Sequence, residues 1–344
     1  MKKRNGVESI RFCGVGENLE YADEELQRSE PQFKMLKIKR DKWLLNQRIL
    51  NQLVKELLSG NFYFPRLTTV IYDASALLRE DDAVRFMVFL RRNPGIRNII
   101  VEGDNTRPFG KWTFSRLPND LACGFRFLER ARVYGPLLPL LLGFSFSPNK
   151  CSGELGPLIR PDNMPDTLPL KRVHLWWPQR TVHVVRGHSS DNSGPLSVEL
   201  DLLDLVKALS SVCRSTLEVL VVKVDDQLID EDLIGLISSR FSNLRELEFG
   251  PSRSNPLARL PNPTALRRIA ETLSGLKHLT RFGYRILSHD SEERLQHADV
   301  LEHGEHWNDI ASHFAQHCPC LQFITLYSLT WRAAVLPFQK TCWG

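Results

Sequence analysis

A short apolar phrase returns along this chain and limits what it can fold into. The phrase reads apolar-x-x-apolar-x-apolar, and its clearest copies begin at Leu217, Leu244 and Leu321. Alternation of this kind fits a strand, because successive side chains of a strand point to opposite faces. Self-similarity at a spacing of ~20–50 residues is typical of stacked repeats, in which each unit buries its apolar face against its neighbours. The sequence therefore predicts one repeat array.

Ten copies are found when each is indexed by its first apolar residue, and the intervals between them run from 26 to 47 residues. Helical patterns with apolar residues three or four positions apart lie between the copies. Strands joined by helices in one direction run parallel, because each helix is the return crossover. The predicted fold class is therefore α/β, a solenoid of irregular repeats. The index residues are Val7, Phe33, Leu67, Ile96, Leu128, Leu170, Leu217, Leu244, Leu279 and Leu321, of which Val7, Phe33 and Leu128 begin the weaker copies.

In several copies a helix end passes through a Pro or polar turn into the strand, as at 64–67, 93–96, 241–244 and 318–321. In these features the chain resembles leucine-rich repeat proteins, above all the degenerate repeats that follow F-box domains in many fungal proteins. The resemblance implies a horseshoe with parallel strands on its concave face and helices on its convex face. It also implies a substrate-receptor role in ubiquitin ligation, although no F-box is found among these residues.

Two stretches interrupt the period. Residues of about 135–169 are rich in Pro and Gly and are interpreted as an irregular insertion. A second stretch, about 186–195, is predicted to be a loop because of its Gly, Ser, Asn and Asp content. The domain prediction is a single leucine-rich repeat array over residues 1–344, with these two departures from the period.

The leucine-rich repeat resemblance assigns alternate strand positions to the concave surface. The middle repeats carry basic and aromatic residues at those positions, followed by two glutamates in the next repeat. Arg, Trp and Tyr are enriched at binding hot spots because they combine large area with directional bonds. We therefore expect a protein partner to bind here, through Arg130, Arg132, Tyr134, Arg172, His174, Trp176, Lys223, Glu246 and Glu248.

Composition and motifs exclude several classes of function. No GxSxG motif, P-loop or complete dinucleotide-binding glycine motif is present, so the sequence predicts a non-enzymatic protein with no catalytic residue, cofactor or metal. Seven scattered cysteines form no disulfide framework, which favours the cytoplasm or the nucleus. The most apolar run, 133–146, is short and interrupted by prolines, so no membrane association is expected.

Two alternative functions remain open at this stage. One is a zinc-binding or metal-dependent protein that uses the C-terminal His/Cys cluster, where His313 and His317 share a helical face and Cys318 and Cys320 follow. The other is a binder of RNA or of an acidic partner, because residues 1–150 carry 25 Lys/Arg against 17 Asp/Glu. A nucleic-acid partner is not expected, since such binders have more clustered basic residues. A cullin-ligase adaptor is expected as a partner only if an F-box lies upstream.

Overall fold

A computed structural model describes fourteen segments of the chain. They are residues 9–12, 56–58, 60–73, 80–102, 124–135, 137–146, 158–159, 165–177, 181–185, 197–224, 231–251, 263–285, 304–327 and 334–337. Its strands are β1 Ser9–Phe12, β2 Thr69–Asp73, β3 Asn98–Glu102, β4 Arg130–Tyr134, β5 Ser145–Phe146, β6 Leu158–Ile159, β7 Arg172–Trp177, β8 Thr181–Val185, β9 Ser197–Asp201, β10 Val219–Val224, β11 Glu246–Pro251, β12 Arg281–Arg285, β13 Phe323–Tyr327 and β14 Ala334–Pro337. Its helices are α1 Glu80–Arg92, α2 Leu137–Leu141, α3 Leu202–Cys213, α4 Glu231–Arg240, α5 Pro263–Leu273 and α6 Gly304–His317.

One open sheet of ten strands dominates the described residues, in the order β1-β2-β3-β4-β7-β10-β11-β12-β13-β14. The first nine strands are joined by parallel pairings, and β14 pairs antiparallel to β13. The order of strands in the sheet follows their order in the chain. Strands β5 and β6, and strands β8 and β9, form two separate two-stranded sheets. Each new strand is therefore added to the same edge, as in a structure that grows by stacking.

The repeated phrase is the unit of this stacking. Among the described residues, the index residues from Leu67 to Leu321 are at most 4% exposed. The residue after the index accepts two backbone hydrogen bonds from the next repeat: the carbonyl of Thr68 accepts from the amides of Arg97 and Asn98, at 2.8 and 2.9 Å. The same pair of bonds recurs at Arg97, Glu129, Lys171, Glu218, Arg245 and Thr280. Successive repeats are therefore stacked in phase.

Helices cover one face of the sheet. The apolar residues of α3, α4 and α5 join alternate strand residues in a single buried cluster that runs from Leu58 to Ile324. Consecutive helices pack against each other, α3 on α4, α4 on α5 and α5 on α6. Burial of the index leucines and of these helix residues supplies the main stabilisation, since each fully buried Leu or Phe contributes ~1.5–3 kcal/mol.

The predicted α/β class and its parallel strands are confirmed, including the weak copy at Leu128, which leads into β4. Because β1 pairs directly with β2, no strand lies between them, and the copy at Phe33 falls outside the described residues. The insertion contains α2, whose five residues are all buried, and the two-stranded β5-β6 sheet. Strand β14 was not predicted. The loop at 186–195 lies outside the described residues.

Helices of the described segments are all too short or too polar to cross a membrane.

Candidate functional site

The two faces of the large sheet differ in chemistry. Residues at the second and fourth positions of β2, β3, β4, β7, β10, β11 and β12, such as Val173 and Leu175, belong to the apolar core. Residues at the first, third and fifth positions form what we call the polar face, which is turned away from the helices. The difference follows from the period of two along each strand. Polar side chains gather on this face because the core face excludes them.

Strand pairing brings the nine residues predicted from the sequence together on the polar face. With Val219, Val221 and Gly250 they form three rows of four residues that run across adjacent strands from β4 to β11, because the repeats pair in register. The first row is Arg130, Arg172, Val219 and Glu246, the second is Arg132, His174, Val221 and Glu248, and the third is Tyr134, Trp176, Lys223 and Gly250.

A depression of about 220 Å³ opens on this surface. Six of the nine predicted residues line it, together with the apolar residues Leu175 and Val221. We call it the polar-face depression. Its lining residues are Arg132, His174, Leu175, Trp176, Val221, Lys223, Glu246 and Glu248. Arg130, Arg172 and Tyr134 lie next to it on β4 and β7.

The depression has an electropositive side. The pKa of His174 is lowered to about 4, first by burial and then by the neighbouring charges of Arg130, Arg132, Lys223 and Arg172, in that order. His174 is therefore neutral at physiological pH. Burial also lowers the pKa of Lys223, with Arg132 acting in the same direction and Glu248 opposing both. Clustered positive charge of this kind favours an anionic group of a ligand.

Aromatic and guanidinium groups stack within the depression. The Cζ atom of Arg132 lies 5.0 Å from the centroid of the Trp176 ring, within the range of a cation–π interaction. Nε of Arg130 is buried and makes no hydrogen bond among the described residues.

Two of the predicted residues are less accessible than their strand positions suggest. Tyr134 is 4% exposed and Trp176 is 6% exposed, and both join the core cluster. Trp176 lines the depression and Tyr134 lies beside it, whereas Arg172 is exposed and Arg132, His174 and Lys223 are partly exposed. Burial of this kind depends on distant neighbours and has no signal in the strand pattern.

A second group of polar side chains lies on the helices. The ring centroids of His313 and His317 on α6 are 4.6 Å apart. Nε2 of His313 lies 3.5 Å from Oε1 of Glu271 on α5 and makes no hydrogen bond with any residue that the structure describes. One ligand atom from each of the three side chains lies within 4.8 Å of the other two. This helix cluster does not include Cys318 or Cys320, which the sequence grouped with the two histidines.

Cys318 has a structural place instead. It is 2% exposed, and its carbonyl accepts the amide of Leu321, as the carbonyl of Phe241 accepts the amide of Leu244. Cys318 thus occupies the position of Phe241 in its repeat. Burial raises the pKa of its thiol to about 11, which disfavours the thiolate that a metal requires. Cys320 is exposed.

Glu271 was missed by the sequence analysis, although a signal for it exists. Glu271 lies eight residues before the index Leu279, and His313 lies eight residues before the index Leu321. Equivalent positions of consecutive repeats become neighbours when the repeats stack in phase. Aligning the repeats by their index residues predicts this contact.

A comparison of the chain with protein-family models and with curated proteins finds no match.

Proposed function

We propose that this chain is a non-enzymatic leucine-rich repeat module that binds another protein on the polar face. In this proposal the sheet is the concave surface of a horseshoe, and its occupant is a protein segment that carries an acidic side chain. The observation that supports it most strongly is the convergence of Arg132, His174 and Lys223 around one depression beside Arg130 and Arg172.

Charge complementarity selects the occupant. Around the depression, positive charge from four residues exceeds the negative charge of Glu246 and Glu248. The three arginines lie on β4 and β7, Lys223 lies on β10, and the carboxylates lie on β11. A segment that places a carboxylate near Arg132 and a basic residue near Glu246 would satisfy both sides. The partly buried position of Lys223 strengthens such an ion pair, because screening by water is reduced.

A peptide selection tests this proposal. The full chain serves as bait for a random-peptide phage library, and selected peptides are measured by fluorescence anisotropy at two salt concentrations. We expect the selected peptides to be rich in Asp and Glu and to bind more weakly at the higher salt concentration. The double variant Arg132→Gln/Lys223→Gln should weaken binding at least about tenfold, equivalent to ~1.4 kcal/mol.

The matched control is Arg214→Gln/Lys277→Gln, which removes the same two charge types from exposed turns after α3 and α5. Its affinity should equal that of the unchanged chain. Circular dichroism establishes that both variants are folded. Equal binding by both variants, or selected peptides without acidic residues, would overturn the assignment of the polar face.

The proposal extends to substrate recruitment for a ubiquitin ligase, which rests on the resemblance of the repeats to those of F-box proteins. Affinity capture of the tagged full chain from lysate, followed by mass spectrometry, tests this part separately. Recovery of the cullin-ligase adaptor would support it. Recovery of a partner with an acidic segment but without the adaptor would contradict the ligase role and retain only the proposal of a protein-binding repeat module.

A further inference from the structure

The helix cluster has the composition of a metal site. Glu271, His313 and His317 offer one oxygen and two nitrogen atoms, all within 4.8 Å of one another. The two histidines are four residues apart on α6, so their side chains lie one turn apart on the same helix face. Glu271 comes from the adjacent helix α5, which packs against α6.

One of the distances between its ligand atoms already matches a bound ion. Zinc binds imidazole nitrogen at ~2.0–2.1 Å and carboxylate oxygen at ~2.0–2.2 Å, so the ligand atoms of a tetrahedral site are roughly 3.3–3.5 Å apart. Nε2 of His313 and Oε1 of Glu271 are already 3.5 Å apart. The side chain of Glu271 is 58% exposed, which leaves it free to adjust without moving the backbone.

The cluster also contains a polar atom with no other role. Nε2 of His313 is buried and makes no hydrogen bond among the described residues, and the contact with Glu271 becomes an ion pair only if the imidazole is protonated. A buried polar atom without a hydrogen bond destabilises the folded state, because it has lost its water partners. A bound cation would engage this nitrogen and the carboxylate together.

We propose that Glu271, His313 and His317 bind one divalent transition-metal ion of the zinc class. Two imidazoles and one carboxylate suit Zn²⁺, Ni²⁺ or Cu²⁺, whereas Mg²⁺ and Ca²⁺ prefer ligand sets made only of oxygen. The ion links α5 to α6 and therefore stabilises the packing of the last two helices of the repeat series. It lies on the helix side of the sheet and is independent of the polar-face depression.

Metal titration of the full chain tests the proposal. The protein is stripped with a chelator, and Zn²⁺ alone is added while heat release and thermal unfolding are recorded. We expect one ion per chain at this site and a rise in Tm, because an ion that binds only the folded state stabilises it by mass action. A chelator should reverse the rise, and Mg²⁺ should produce none.

Variants identify the ligands. Glu271→Gln and His317→Ala should each weaken Zn²⁺ binding at least ~10-fold, since the loss of even an outer partner of a ligand costs ~10–100-fold. His278→Ala is the matched control, because His278 is exposed and outside the helix cluster. All three variants should match the unchanged chain in metal-free circular dichroism. Zn²⁺ affinity that is unchanged in both ligand variants, or no Tm shift in the unchanged chain, would overturn the proposal.

Discussion

The guanidinium of Arg132 lies over the indole of Trp176, with its Cζ 5.0 Å from the ring centroid. The two residues occupy neighbouring strands of the sheet, β4 and β7, and both line the polar-face depression. Between them in sequence lies the insertion that contains α2. Stacking of two repeats therefore creates a contact that neither repeat contains alone.

Replacement of this guanidinium should change both stability and the titration of its neighbour. In Arg132→Gln we expect the free energy of unfolding to fall by ~0.5–2 kcal/mol, the range of a cation–π interaction. The pKa of His174 should rise, because Arg132 is one of the charges that hold it down. Urea denaturation measures the first effect, and the imidazole proton resonances measure the second.

Arg281 offers the control for that experiment. Its Cζ lies 5.1 Å from the centroid of the Phe323 ring, a similar contact two strands beyond β10. Arg281→Gln should lower stability while leaving the pKa of His174 unchanged. If Arg132→Gln and Arg281→Gln shifted that pKa equally, the electrostatic role of Arg132 would be wrong.

Stability should decrease in acid because of His174. Its pKa is about 4 in the folded chain and 6.5 in the unfolded chain, so below pH 6.5 the unfolded state binds the proton first. The folded state therefore has its full stability above pH 6.5, where His174 is neutral in both states. Its free energy of unfolding falls as the pH decreases from 6.5 toward 4. The loss is up to about 3 kcal/mol, and less where water screens the imidazole.

Denaturation at several pH values, compared with His174→Gln, isolates this contribution. The difference in unfolding free energy between the two proteins should change between pH 6.5 and pH 4 and stay constant above pH 7. His278→Gln, which alters an exposed histidine, should retain the full dependence of the unchanged chain. A difference that is flat with pH would contradict the lowered pKa of His174.

Close packing around Gly135 should make the protein sensitive to a larger side chain at this position. A Cβ at this position would clash with Cε3 of Trp177, which is fully buried. Gly135→Ala should therefore cost at least ~1–3 kcal/mol through overpacking. In Gly95→Ala the new Cβ would meet only the carbonyl oxygen of Leu67, at 3.7 Å. That control should be neutral or slightly stabilising, as measured by thermal unfolding.

Thiol labelling should separate two cysteines by their burial. Cys213 is buried, its thiol donates to the carbonyl of Leu209, and burial raises its pKa. Cys320 is exposed. In the folded chain iodoacetamide should modify Cys320 and spare Cys213, because the thiolate is the reactive form. Peptide mass spectrometry reads out each site, and equal labelling before urea is added would contradict the burial of α3.

Much of the fold was predictable because its signal is local. Leu217 and Leu244 mark their repeats through the apolar spacing alone, and both are fully buried. The rows of the polar face also followed from spacing, since Arg130, Arg172 and Glu246 occupy the same position in their repeats. Antiparallel β14 was not predictable in this way, because it departs from the strand–helix alternation that defines the repeats.

Some features of the site could not be predicted from spacing within a repeat, because they depend on neighbouring strands or helices. The low exposure of Trp176 and the lowered pKa of His174 arise from side chains on neighbouring strands. The contact between Glu271 and His313 joins residues that are 42 positions apart in the chain. Spacing within one repeat carries no information about any of these.

The sequence by itself determined the strand–helix alternation, the parallel stacking and the face on which each strand residue lies, because apolar periodicity decides which side chains leave water. Tertiary structure alone decided which polar-face residues remain accessible and how strongly the charges around His174 act on it. Burial and electrostatic interactions depend on distances through space, and only the packing of successive repeats sets those distances.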